Sequence, residues 1–314
     1  MKRFLKIIVR ALLVLLVLIA CLVAHANYRI ATDETLAIDA QAPGKFVTVE
    51  GRRQHFVVHG DLAADPTGIP IMVIHGFIVS GHESMLPWAT DKLKGRSLIL
   101  PDLMGYGYSQ RDTTPGEWSS PKSHARYLAA MLDDLGVDKI DIVGHSYGNA
   151  IAARFALDYP HRVRRIVFIS PGLYIEKSAT EAVIQTPILG SALAWHMIGG
   201  GPYSFVGRRC RNTPDCPSMR PAHIRDTTNT LRAMMYLSRH STVLEDLYAE
   251  IPRLTTPSLV LWGENDWIVP RSAAERLARD THAELVALPG CWHMPFMDKP
   301  DEVAKRVLDF LHGP

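Results

Sequence analysis

The chain is poor in cysteine, with four in 314 residues, and no two of them are spaced as C-x-x-C. That excludes a disulfide-built scaffold and a zinc ribbon. Glycine-rich G-x-G-x-x-G and Walker-type phosphate loops are missing, so dinucleotide and nucleoside-triphosphate chemistry have no sequence signature here. No basic run interleaved with aromatics is present, which removes the usual footprint of a nucleic-acid partner. There is no internal repeat and no low-complexity tract. Charge of neither sign dominates: 34 Lys and Arg stand against 32 Asp and Glu, a formal net charge of +2. Lys2, Arg3, Lys6 and Arg10 are clustered at the start, so the remainder carries about 2 − 4 = −2. The composition is otherwise that of a globular protein, with room for one domain carrying an insertion or for two small domains.

Long apolar runs are absent except at the N-terminus. Residues 1–26 read as a targeting or anchoring segment, with basic residues leading into an unbroken apolar run at 11–24. Three readings stand side by side. The run reaches the ~20 residues of a membrane span if residues 7–9 join it and Arg10 snorkels. Ala24-His25-Ala26 fits the cleavage site of a removed signal peptide. Leu18-Ile19-Ala20-Cys21 has the form of a lipoprotein box. Each puts the body outside the cytoplasm, membrane-anchored or exported. In that setting Cys210 and Cys216, which flank a turn-forming Arg-Asn-Thr-Pro-Asp, can form a disulfide. They have no second ligand pair at matching spacing, so no metal site is expected. Cys291 reads as a small buried residue.

Residues 27–45 are polar and unpatterned, a tether. Beyond them, residues 46–50 and 55–59 predict a hairpin. Short apolar strands are expected at 71–74, 97–100, 140–143, 165–169, 258–261 and 285–288. Helices are expected at 121–135, 149–159, 272–280 and 302–311. Apolar strands alternating with helices imply an α/β fold with a mostly parallel central sheet and helices on both faces. Its chemistry then gathers at the carboxyl ends of the strands. The alternation breaks between residues 172 and 252, which read as a helical cap inserted between two parts of a core at 46–171 and 253–314. Gly199-Gly200-Gly201 is a turn inside it.

Gly144-His145-Ser146-Tyr147-Gly148 follows the strand at 140–143 directly and opens a helix. A strand, G-x-S-x-G and a helix in that order make a nucleophile elbow, with the Ser146 hydroxyl held at a tight corner above the sheet. A serine needs a base, and the base an orienting acid. His145 sits beside Ser146 in the turn and cannot fold back onto it. His75, before a glycine at a strand end, braces loops. His293, in the loop after the last strand, can overhang Ser146. Asp266 follows the strand at 258–261, with Glu264 as the competing carboxylate. The order Ser146, Asp266, His293 is the one expected for this sheet type. The backbone N–H groups of Tyr147, next to the nucleophile, and Phe77, after His75-Gly76, supply the oxyanion donors.

Five motifs carry a resemblance to a known superfamily. They are His75-Gly76-Phe77, the run Asp102-Leu103-Met104-Gly105-Tyr106-Gly107-Tyr108-Ser109, the elbow, Trp262-Gly263-Glu264-Asn265-Asp266-Trp267-Ile268-Val269-Pro270 and Gly290-Cys291-Trp292-His293-Met294-Pro295. Over roughly 46–311 the chain resembles the α/β-hydrolases, in the branch of esterases, monoacylglycerol lipases, perhydrolases and carbon–carbon hydrolases with a helical cap. The resemblance implies the α/β-hydrolase fold and a Ser146–Asp266–His293 triad without a cofactor. Asn149 and Trp292 stand where that branch often has glycine. A serine in the elbow excludes the related dehalogenases and epoxide hydrolases, which use aspartate there.

The expected function is hydrolysis of an apolar carboxylic ester, a monoacylglycerol among them, through an acyl-enzyme. Two alternatives keep the same fold. One uses the triad for carbon–carbon hydrolysis or for perhydrolysis with haloperoxidase activity. The other is a non-catalytic binding protein, which the complete triad opposes. The apolar stretch with Trp195 and Met197 is either cap core or the wall of an acyl pocket, and Trp292 is a further pocket candidate.

Overall fold

The computed structural model describes residues 2–33, 42–77, 81–110, 117–175, 186, 188–198 and 242–313. Eight strands form one sheet: β1 (Lys45–Val49), β2 (Arg52–His59), β3 (Ile71–Ile74), β4 (Leu98–Pro101), β5 (Ile140–His145), β6 (Val163–Ile169), β7 (Ser258–Gly263) and β8 (Glu284–Leu288). Their spatial order is β1-β2-β4-β3-β5-β6-β7-β8. β1 with β2 and β2 with β4 are antiparallel; every later pair is parallel. This is the α/β-hydrolase architecture expected, with an antiparallel hairpin at one end.

The helices are α1 (Lys2–Asp33), α2 (Leu86–Lys92), α3 (Pro121–Asp134), α4 (Gly148–Asp158), α5 (Leu189–Ile198), α6 (Thr242–Glu250), α7 (Arg271–Asp280), α8 (Pro295–Asp298) and α9 (Pro300–His312). They cover both faces of the sheet because the strands are apolar on both. In β3, Met72 and Ile74 pack with α3, α4 and α7, while Ile71 and Val73 pack with α2 and α9. That is the two-residue period of a strand buried on each side. α3 begins where Ser120 accepts a hydrogen bond from the Ser123 N–H and Pro121 sets the first helical φ.

One part of the sequence reading changes. α1 does not stop at the apolar run: it continues to Asp33, through residues expected to be a tether. Asn27 helps hold it, with its amide donating to Val23 O four residues back. Between β6 and β7 the described residues form helices α5 and α6. Cys210, Cys216 and the Gly199–Gly201 turn lie outside the described residues, as do residues 34–41 of the tether.

Candidate active site

Ser146 lies at the corner between β5 and α4, with φ of 50°, a left-handed value that a non-glycine residue rarely adopts. Its backbone is fastened on every side. Its N–H donates to Ile169 O, and its carbonyl accepts from the Asn149 and Gly172 N–H groups. The neighbours leave room only for glycine. A Cβ on Gly148 would lie 2.6 Å from two carbonyl oxygens of β3 and its end. One on Gly76 would meet the Ser146 Cβ at 2.9 Å. Asn149 takes over what a second glycine would leave empty, its amide donating to Ile169 O across the sheet.

His293 and Asp266 converge on the serine from two other strand ends. The Ser146 hydroxyl donates to His293 Nε2 at 3.1 Å, and His293 Nδ1–H donates to Asp266 Oδ2 at 2.9 Å. The other oxygen of Asp266 accepts the N–H groups of Ile268 and Val269. Burial pushes this carboxyl up, but the imidazole and the two amides outweigh it and hold Asp266 below the usual carboxylate range. Glu264, the competing acid, is exposed on the same loop. The two loops are fastened to each other: Asn265 N–H donates to Cys291 O, and Gly263 has no Cβ to strike the carbonyls of Cys291 and Trp292. Phe77 and Tyr147, the two expected amide donors, lie side by side with rings stacked 4.2 Å apart.

The remaining candidates fall elsewhere. Trp195 is buried edge-on against His25 of α1. Trp292 is half-exposed, its N–H held by Asp298. Met197 is on α5, its side chain outside the described residues. Cys291 is free and buried.

A profile of the alpha/beta hydrolase family matches residues 71–306. The chain belongs to that family. Over 256 residues this hydrolase is 29% identical to 2-hydroxymuconate semialdehyde hydrolase of Pseudomonas putida, covering 78% of this chain and 87% of that one. Over 105 residues it is 36% identical to 2-hydroxy-6-oxo-2,4-heptadienoate hydrolase, also of Pseudomonas putida, across 32% of this chain and 37% of that one. Among solved structures, a bacterial membrane phospholipase A superposes with a TM-score of 0.62 at 22% identity, covering 99% of this chain and 98% of that one.

Two histidines dismissed as bases turn out to shape the site of this hydrolase. His145 Nε2–H donates to the backbone carbonyl of His293 at 2.9 Å, so the residue before the serine holds the loop that carries His293. Burial lowers its pKa to about 3, keeping the ring neutral. Nothing in sequence spacing reveals this link across 148 positions. His145→Ala should lower kcat roughly tenfold to a hundredfold, as expected for a slight misplacement of the base. His145→Gln, whose amide can still donate, should recover much of the loss in the same steady-state assay. His75 does brace loops, as expected: its Nδ1–H donates to Gly76 O and its Nε2 accepts the Leu103 N–H.

Asp102 is the second brace. Fully buried, it accepts from the His82 N–H and the His82 ring on one oxygen, and from the Tyr108 N–H and the His55 ring on the other. Gly81 and Gly107 are needed here, because a Cβ on either would overlap this carboxylate. Burial alone would raise the carboxyl, but the two imidazoles hold it far below the ordinary value. His55, His82 and Asp102 are also the residues that could hold a metal among those described. Their mutual hydrogen bonds and the two amides satisfy the carboxylate without one.

His124, wholly buried beside Tyr127 and Tyr147, has no hydrogen-bond partner on either ring nitrogen among the described residues. Burial, with His75 nearby, brings its pKa to about 3 from an ordinary 6.5. A histidine depressed in the folded state contributes stability that is whole above about pH 6.5 and is lost as pH falls toward 3. At pH 5 the unfolded chain takes the proton that the folded chain refuses, at about 2 kcal/mol. His124→Leu should therefore match the wild type or exceed it in thermal unfolding at pH 7.5. Its melting temperature should drop less between pH 7.5 and pH 5.

Proposed function

We infer that this hydrolase cleaves apolar carboxylic esters through an acyl-enzyme on Ser146. The observation that carries the reading is the hydrogen-bonded chain Ser146–His293–Asp266, with separations of 3.1 and 2.9 Å. His293 takes the hydroxyl proton as Ser146 attacks the ester carbonyl, and Asp266 orients and stabilises the imidazolium that forms. The amides of Phe77 and Tyr147 receive the charge that develops on the carbonyl oxygen. His293 then returns the proton to the leaving alcohol. Water repeats the sequence on the acyl-enzyme, releasing the acid and restoring Ser146.

The enzyme is read as anchored by α1 with its body outside the cytoplasm. α1 is the one described helix long and apolar enough to cross a membrane. It runs unbroken through Ala24-His25-Ala26, the cleavage site a removed signal would need. The structural likeness to a membrane phospholipase A over 99% of the chain is consistent with that arrangement and with a lipid-like ester. A fluorophosphonate probe should label the folded protein stoichiometrically, with the adduct mapped by mass spectrometry to the peptide bearing Ser146. A labelled serine elsewhere would sink the reading.

A second reading is carbon–carbon hydrolysis with the same three residues, favoured by the likeness to 2-hydroxymuconate semialdehyde hydrolase. Comparing kcat/KM for p-nitrophenyl esters of increasing chain length with that for a ring-cleavage semialdehyde separates the two.

A further inference from the structure

We propose that the end of α1 and the cap helix α5 form a joint at the bilayer surface, through which the active-site face takes its substrate directly from the lipid leaflet. This rests on the reading of the chain as a membrane-anchored ester hydrolase.

Residues 4–23 of α1, at about 1.5 Å per residue, reach about 30 Å, the thickness of a hydrocarbon core. Their apolar side chains, Phe4 and Leu5 through Ile19 and Leu22, are exposed. Lys2, Arg3 and Lys6 stand at one end of this stretch. At the other end the helix meets protein for the first time. The His196 ring lies 3.4 Å from Leu22 O, His25 stands edge-on to Trp195 at 5.7 Å, Ala26 is fully buried, and the Asn27 amide donates to Ile188 O at 3.2 Å. The contact starts where the apolar stretch ends. With the span seated in a bilayer, α5 is fixed at the level of the headgroups.

The surface beside the joint fits that depth. Ile188 and Leu189, at the start of α5, are 67% and 51% exposed. Both are large aliphatic side chains, next to a helix that already requires lipid around it. Beneath them Trp195 is buried against His25 and packs the joint itself. Ile175, also exposed, lies three residues beyond Gly172, whose N–H is bonded to the Ser146 carbonyl. The joint also ties α5 to the membrane rather than leaving it in solution.

The test uses the full chain in phosphatidylcholine vesicles. Ile188→Trp should add emission that bromine carried high on the acyl chain quenches and aqueous iodide does not. Quenching by iodide instead would overturn the proposal. So would shielding from both quenchers together with a cross-linked dimer, which would mean that a second copy covers the patch. In the same vesicles, Ile188→Glu with Leu189→Glu should cut hydrolysis of a bilayer-embedded fluorogenic diacyl ester at least tenfold and leave a short soluble p-nitrophenyl ester unchanged. Equal loss on both substrates, or on neither, would also overturn it. A wild-type enzyme inactive on every ester would refute the ester reading instead, while the quenching result would still decide the position of α5.

Discussion

Ser146→Ala should reduce kcat for ester hydrolysis by on the order of 10⁴ to 10⁶ and abolish fluorophosphonate labelling, with the melting temperature within a few degrees of wild type. The size follows from the chemistry: groups that act as a unit lose nearly everything when one is removed. The preserved fold follows from the contacts. The Ser146 side chain makes one hydrogen bond, to His293, whereas its three backbone bonds, to Ile169, Asn149 and Gly172, remain in alanine. Its positive φ is somewhat costly for alanine as well as for serine, so that strain is unchanged. Substrate binding should persist, so KM should move far less than kcat. A variant retaining more than about a hundredth of the wild-type kcat would show that Ser146 does not carry the covalent step.

Asp102→Ala should have the largest effect on stability: a loss of about 3–5 kcal/mol, the range for breaking a buried charged pair. For a chain of this size that lowers the melting temperature by roughly 10 °C. The substitution takes an acceptor from four donors at once: the His55 and His82 rings and the N–H groups of His82 and Tyr108. Three of these donors are buried and the Tyr108 N–H partly so, and each loses this acceptor. A functional consequence follows, because the loop from His75 to His82 carries Phe77 and is tied at both ends to the loop after β4, by His75 to Leu103 and by His82 to Asp102. With one tie gone, the Phe77 amide loses its fixed position. At a temperature where the variant is folded, kcat should fall roughly tenfold or more while labelling by the small fluorophosphonate persists. Thermal unfolding by circular dichroism and steady-state kinetics check the two halves. Asp102→Asn, which keeps an acceptor oxygen, should lie between alanine and wild type in both.

Much of the sheet was legible because β strands buried on both faces leave continuous apolar runs. The stretches 71–74 and 165–169 coincide with β3 and the end of β6. The site was legible because its residues stand at strand ends, and strand ends are marked in sequence by glycine, proline and abrupt polarity. His145 was read only in part: its nearness to Ser146 ruled it out as a base, yet its bond to His293 depends on a contact between segments 148 positions apart. Asp102 was noted as part of a motif, but its two histidine partners come from β2 and from the turn after Phe77. No spacing rule joins them. α2 escaped notice because Leu86–Lys92 is only seven residues long with Pro87 and Thr90 inside it, too short for a helical period to emerge. The extent of α1 was hidden because Asn27 looks like the start of a polar tether. What makes His25 and Asn27 helical is the partner helix they touch.

The position of the insertion has a consequence for how such an enzyme diversifies. β6 and β7 are adjacent in the sheet, with Ile169 opposite Leu261, so residues 170–257 leave and rejoin the core on neighbouring strands. Among the described residues, the hydrogen bonds that hold Ser146, Asp266 and His293 in place come from the core side of those two junctions, apart from the one from Gly172 just past the first. A lineage can therefore lengthen, shorten or exchange that one segment and acquire a new diet, while the inherited machine that breaks the bond is passed on untouched.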